Sequence, residues 1–209
     1  MLSILLVAIN AKYIHSNLAV YSLRAYARKY LTGPADLRIG EYTINQPVGE
    51  ILAEIYRKKP DVLCFSCYIW NLSYVEELAE EFRKLCPQIP VWVGGPEVSY
   101  ETEAFLRHHP AVTGIMAGEG EQTFLELCEA YAEMKRAGER SESVPSGLQK
   151  IAGLIYRDGG RIHAAGERAP LDMDRIPFCY DDPEEFRHRI VYYESSRGCP
   201  FLCSYCLSS

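Results

Sequence analysis

The chain has 209 residues, enough for one sizeable domain or for a domain with part of another. Its 22 Lys and Arg stand against 28 Asp and Glu, a formal charge of −6 with both signs interspersed, which argues against a nucleic-acid partner held by bulk electrostatics. No apolar run approaches the ~20 residues of a membrane helix, so no membrane association is expected; residues 1–9 are apolar but lack a basic leader, so a cytoplasmic location is expected, and the eight cysteines read as thiols or metal ligands rather than disulfides.

Residues 4–9 form a continuous apolar run, the pattern of a parallel strand buried on both faces. A helix follows with Ala19, Leu23, Tyr26 and Tyr30 on one stripe, ended by Gly33-Pro34. A second strand is expected over 35–42, and Pro47 opens a helix carrying Val48, Ile51, Leu52 and Ile55. The third strand spans 62–67; its helix has Ser73-x-x-Glu76 as a capping box and Val75, Leu78, Ala79, Phe82 and Leu85 on one face. A fourth strand at 91–93 runs into Gly94-Gly95-Pro96. A fifth at 113–117 runs into Gly118-Glu119-Gly120-Glu121 and a helix aligning Phe124, Leu127, Cys128, Tyr131 and Met134. Five β/α alternations predict an α/β fold with a doubly wound, five-stranded parallel sheet over residues 1–137.

From Gly138 the composition turns to Gly, Ser, Glu, Arg and Pro, so 138–189 is read as a linker. It contains a β-hairpin, with strands at 154–156 and 161–163 around Asp158-Gly159-Gly160. Residues 190–195 are expected to form one more strand, entering Arg197-Gly198 and then Cys199, Cys203 and Cys206. Thiolates so close together, with Gly198 and Pro200 bending the backbone, can converge on one iron–sulfur cluster. The alternatives are a zinc site with Cys179 or His188 as fourth ligand, or three ordinary thiols. Cys64-x-x-Cys67 invites a redox reading, but residues three apart on a strand point to opposite faces, so Cys64 is assigned to the core. Cys86 and Cys128 are assigned structural roles as well.

The run Arg197-Gly198-Cys199-Pro200-Phe201-Leu202-Cys203-Ser204-Tyr205-Cys206 resembles the cluster loop of the radical S-adenosylmethionine superfamily. The resemblance implies that Cys199, Cys203 and Cys206 ligate a 4Fe–4S cluster, that Tyr205 sits by the adenine of S-adenosylmethionine, and that residues 190–209 are the start of a radical barrel. The loops after the strands resemble the Rossmann-like cobalamin-binding domain that precedes many such barrels. By that resemblance the nucleotide tail of cobalamin lies beside Ser66 and Cys67, Gly94, Gly95 and Pro96, with Gly118, Glu119 and Gly120 on the fifth-strand side. In place of the Asp-x-His-x-x-Gly of cobalamin modules that ligate cobalt, this chain has Asn10 to Asn17. Cobalt without a protein histidine is therefore expected, with Tyr13 or another side chain of that loop facing the lower side of the corrin and His15 capping a helix or meeting solvent. His108 and His109 read as a solvated turn, and no pair of residues suggests a catalytic dyad.

Such a chain would be the front part of an enzyme for radical methyl transfer or oxidative cyclisation, inactive alone, its partners a small-molecule substrate and an electron donor. The competing reading is a non-catalytic cobalamin carrier or sensor with a structural cysteine tail. A receiver-type domain is disfavoured, because Ser66 and Cys67 stand where a phosphoacceptor Asp is needed.

Overall fold

The computed structural model describes residues 1–138 and 144–199. Strands β1 (Leu2–Asn10), β2 (Ala35–Thr43), β3 (Val62–Ser66), β4 (Val91–Gly94) and β5 (Gly114–Met116) alternate with helices α1 (Leu18–Tyr30), α2 (Val48–Lys58), α3 (Leu72–Leu85), α4 (Thr102–His108) and α5 (Gly120–Arg136). The first five strands pair in parallel in the order β2-β1-β3-β4-β5. The expected doubly wound core is therefore present.

Strand alternation sorts the core into two layers. Ile4, Leu6 and Ala8 of β1 pack with Cys64, Trp92, Met116 and the inner faces of α1 and α5. Leu5, Val7 and Ile9 face Ile51 and Ile55 of α2 and Val75, Leu78 and Phe82 of α3. Cys64 and Cys67 fall in opposite layers, both fully buried, so no C-x-x-C pair forms. The five aligned residues of α5 are all buried.

Four expectations are corrected. The hairpin, β6 (Leu154–Asp158) and β7 (Arg161–Ala164), is not a free-standing part of a linker: β6 pairs antiparallel with β5, making a seven-stranded sheet. The physical gain is a covered edge, since β5 would otherwise expose unpaired backbone, and Leu154, Ile155 and Tyr156 are buried there. The stripe of α1 is rotated: Val20, Tyr21, Tyr26 and Ala27 are buried, because Tyr21 also packs on Tyr180 and Phe186 from the chain's later part. Ser73-x-x-Glu76 is not a capping box; α3 starts at Leu72 with Asn71 as its cap residue, so Ser73 already lies within the first turn. Residues 190–195 form no strand. Only Ile190 bridges, parallel to His15, while the rest of the segment runs along a cavity.

Candidate functional site

In a parallel sheet whose strand order reverses direction, loops diverge at the carboxyl ends of the strands and leave a crevice. Here the reversal lies between β1 and β3, and the crevice is a cavity of about 770 Å³ between the sheet and the α1/α5 layer. That is the size class of small-molecule sites. Leu6, Cys64, Ser66, Gly94 and Met116 form its sheet wall, Leu18, Ser22 and Leu23 its α1 wall, and residues 118–121 its α5 wall.

The strand period explains why a cavity exists. Gly94 is two residues from Trp92, hence on the same face, and without a side chain it leaves open the volume that Trp92 fills one pleat earlier. A Cβ there would already stand 3.2 Å from the Met116 carbonyl. Gly95 has φ +116, and a Cβ on it would lie 2.3 Å from the Cys67 carbonyl, so only glycine lets β3 and β4 stay this close at their ends. The Cys67 amide completes the junction by donating to the Gly94 carbonyl at 2.7 Å.

Hydrogen bonds fix the loops around the opening. Asn17 caps α1 through Val20 N at 3.4 Å, and its Nδ2 donates to Ser66 Oγ at 3.2 Å. Asn71, fully buried, donates to the carbonyls of Ile9 and Ser66 at 3.0 and 2.9 Å and accepts from Tyr68 N at 2.8 Å. Glu41 accepts from Asn10 Nδ2, Asn17 N, Tyr21 Oη and Arg189. His15 caps nothing; its Nδ1 lies 2.6 Å from Tyr192 Oη, a residue of the cavity wall.

The polar end of the cavity is ionic. Arg197 makes a two-pronged contact with Glu121, at 2.7 and 3.1 Å, and a second with Glu194, at 2.7 and 3.1 Å; Glu119 lies 3.3 Å away. Burial alone would raise the Glu121 carboxyl. The Arg197 guanidinium outweighs burial and, with the Ser22 hydroxyl, holds that carboxyl below its ordinary value. Burial works against the Arg197 charge as well, yet Glu194 and Glu121 hold it firmly protonated.

Of the residues singled out from the sequence, Ser66, Gly94, Gly95, Gly118, Glu119 and Gly120 line the cavity together. Cys67 and Pro96 do not: Cys67 points into the α2/α3 layer, and Pro96 is exposed at the start of a 3-10 turn, Pro96–Val98. Tyr13 is also outside the cavity, exposed on the loop after β1 with the Arg189 guanidinium 5.7 Å from its ring centre. Cys199 is exposed, whereas Cys203, Cys206 and Tyr205 lie outside the described residues. No cluster of metal-ligating side chains occurs among the described residues. His109 does not sit in a solvated turn but pairs with Glu76 at 3.4 Å. Sequence reasoning placed Asn17 only within the run after strand one and passed over Ser22, Asn71 and the Arg197–Glu121 pair. No local signal marks that pair, since its members stand 76 positions apart.

A family model described as "B12 binding domain" matches residues 4–128. The cobalamin-dependent radical SAM methyltransferase TokK of Streptomyces tokunonensis is 29% identical over 164 residues, 71% of this chain and 22% of TokK. The anaerobic magnesium-protoporphyrin IX monomethyl ester cyclase of Cereibacter sphaeroides is 24% identical over 179 residues, 79% of this chain and 27% of the cyclase. The chain thus spans only about a quarter of the length of these two relatives. In fold, it superposes on the cobalamin-dependent S-adenosylmethionine radical enzyme OxsB, solved with aqua-cobalamin and S-adenosylmethionine, with a TM-score of 0.77 at 20% identity over 99% of this chain and 28% of OxsB. The radical S-adenosylmethionine methyltransferase TsrM from Kitasatospora setae gives a TM-score of 0.59 at 17% identity, over 78% of this chain and 30% of TsrM.

Proposed function

The chain belongs to the B12 binding domain family, and from that premise we propose that its cavity takes the nucleotide tail of cobalamin, in an enzyme that also uses a 4Fe–4S cluster and S-adenosylmethionine. The observation that carries this reading is the wall made by Ser66, Gly94 and Gly118, where absent side chains leave room at the strand ends. The residues fit the group. The cavity offers apolar surface from Leu6, Leu18, Leu23 and Met116 for a flat ring, and the Ser66 hydroxyl beside it for a polar edge.

When bound, cobalamin supplies a cobalt centre able to carry a methyl group or an electron. The protein's own share is binding and orientation. Asn71 and Asn17 hold the ends of β1, β3 and α1 in register, so the opening is pre-formed. The ring of Tyr68, on which Trp70 stacks at 4.6 Å and 10°, lines the cavity with Tyr192 and Tyr193, an aromatic rim that would exclude water from a seated macrocycle. The segment bearing Tyr192 and Tyr193 leads directly to Cys199, so a cluster held by Cys199, Cys203 and Cys206 would lie at the same end of the sheet.

We take methyl transfer to an unactivated carbon and oxidative ring closure as the two outcomes this arrangement serves, on a small-molecule substrate with an external electron donor. Relatives of both kinds support this reading: TokK is a methyltransferase, and the Cereibacter sphaeroides protein is a cyclase. The test is anaerobic reconstitution of the chain with iron, sulfide and hydroxocobalamin, followed by absorption spectroscopy. Both chromophores are expected, with the cluster band lost in Cys199→Ala. Zinc uptake with neither chromophore would overturn the proposal, and corrin uptake without a cluster would favour a carrier module.

A further inference from the structure

We propose that Glu121 is a positioning residue for Cys199, acting through Arg197. The inference rests on the reading above only in taking the segment after Gly198 as a cluster loop. Arg197 stands two residues before Cys199, and Gly198 between them has φ +83. Cys199 therefore follows directly on the point where Arg197 is held.

It is held by an unusually complete set of partners. Glu121 accepts from both Nη1 and Nη2, and Glu194 from Nε and Nη2. Glu121 is itself fixed: it lies in the first turn of α5, where the helix dipole favours a carboxylate, and Ser22 Oγ of α1 donates to it at 2.9 Å. Only 6% of its side chain is accessible. Glu119 is anchored separately, accepting from Leu171 N at 2.6 Å. A second ion pair, Arg189 to Glu41, pins the other end of the same segment to β2. Residues 189–197 are thus strapped across the carboxyl ends of the strands, from β2 to α5. Because Glu121 and Arg197 also line the cavity, the pair belongs both to the cavity wall and to the strap of residues 189–197. Charge-assisted, two-pronged contacts combine strength with a fixed direction, as positioning requires.

The test is 15N relaxation of the whole chain without any cofactor. Backbone order parameters for residues 194–199 are expected near ~0.85 in the parent and below ~0.6 in both Glu121→Gln and Arg197→Gln, with β1 and β3 unchanged. Arg197→Lys, which keeps the charge but loses the fork, should fall between, and Glu121→Gln/Arg197→Gln should be no more mobile than Arg197→Gln. A segment already mobile in the parent would overturn the proposal, as would Arg197→Gln retaining parental order. Glu121→Gln is nearly isosteric, so a role in packing alone would leave the order parameters where they were. Failure of the parent to bind hydroxocobalamin would sink the proposed function and leave this result standing.

Discussion

At Gly95 one hydrogen atom in place of a side chain decides whether β3 and β4 can end as they do. Its φ of +116 and the 2.3 Å approach a Cβ would make to the Cys67 carbonyl act together. Gly95→Ala is therefore expected to cost roughly 1–3 kcal/mol in urea unfolding, the scale of a strained backbone position; a loss under about 0.5 kcal/mol would show that the junction relaxes freely. The thiols give a second test at this scale. Burial pushes the Cys64, Cys67 and Cys128 thiols well above their ordinary range, whereas Cys199 is exposed. Iodoacetamide at pH 8 should label Cys199 in the folded chain and spare those three, as read by peptide mass spectrometry. The linkage has a definite sign. The folded state keeps these protons while the unfolded chain releases them above about pH 8.5, so stability is full below that pH and declines as pH rises beyond it.

Among the elements, the turn from β3 into α3 does more than connect. Asn71 ties it to the carbonyls of Ile9, near the end of β1, and Ser66, at the end of β3. Asn71→Ala strands these buried groups, and a loss of about 1–3 kcal/mol is expected, together with weaker binding in the cavity whose edge it sets; thermal unfolding and a corrin titration check both. The sequence made the strands and most helices legible because each is buried by a simple period: 4–9 is apolar throughout, and the stripe of α5 repeats at helical spacing. It did not reveal the sheet's extension by β6 and β7, since a hairpin signal is local and says nothing of the edge it will cover. The rotated stripe of α1 has the same cause, because Tyr21 is buried by Tyr180 and Phe186 from far along the chain.

Across the whole molecule, strand order places the cavity, and the strap of residues 189–197 closes one side of it. The glycines and Ser66 could be recognised in advance because they sit at strand ends, where a doubly wound sheet binds its ligands. Cys67 and Pro96 could not be separated from them by position alone; only the pleat tells which neighbour faces the cavity. The ionic end was illegible for another reason: Glu121 and Arg197 acquire meaning only when α5 meets the strap. Acid should expose that link. Glu121 is held below its ordinary value, so its contribution to stability is present above about pH 4.3 and is lost as pH falls through the folded-state value. Arg197→Gln should flatten that acid limb of the stability profile.

The central claim, that the cavity behind Gly94 takes the tail of cobalamin, is tested most directly by titrating the chain and Gly94→Trp with hydroxocobalamin and following the corrin absorption bands. The parent should give a saturable spectral change, and Gly94→Trp should weaken binding at least tenfold while its circular dichroism stays that of the parent. Equal binding by the two proteins, or no saturable change with the parent, would contradict it.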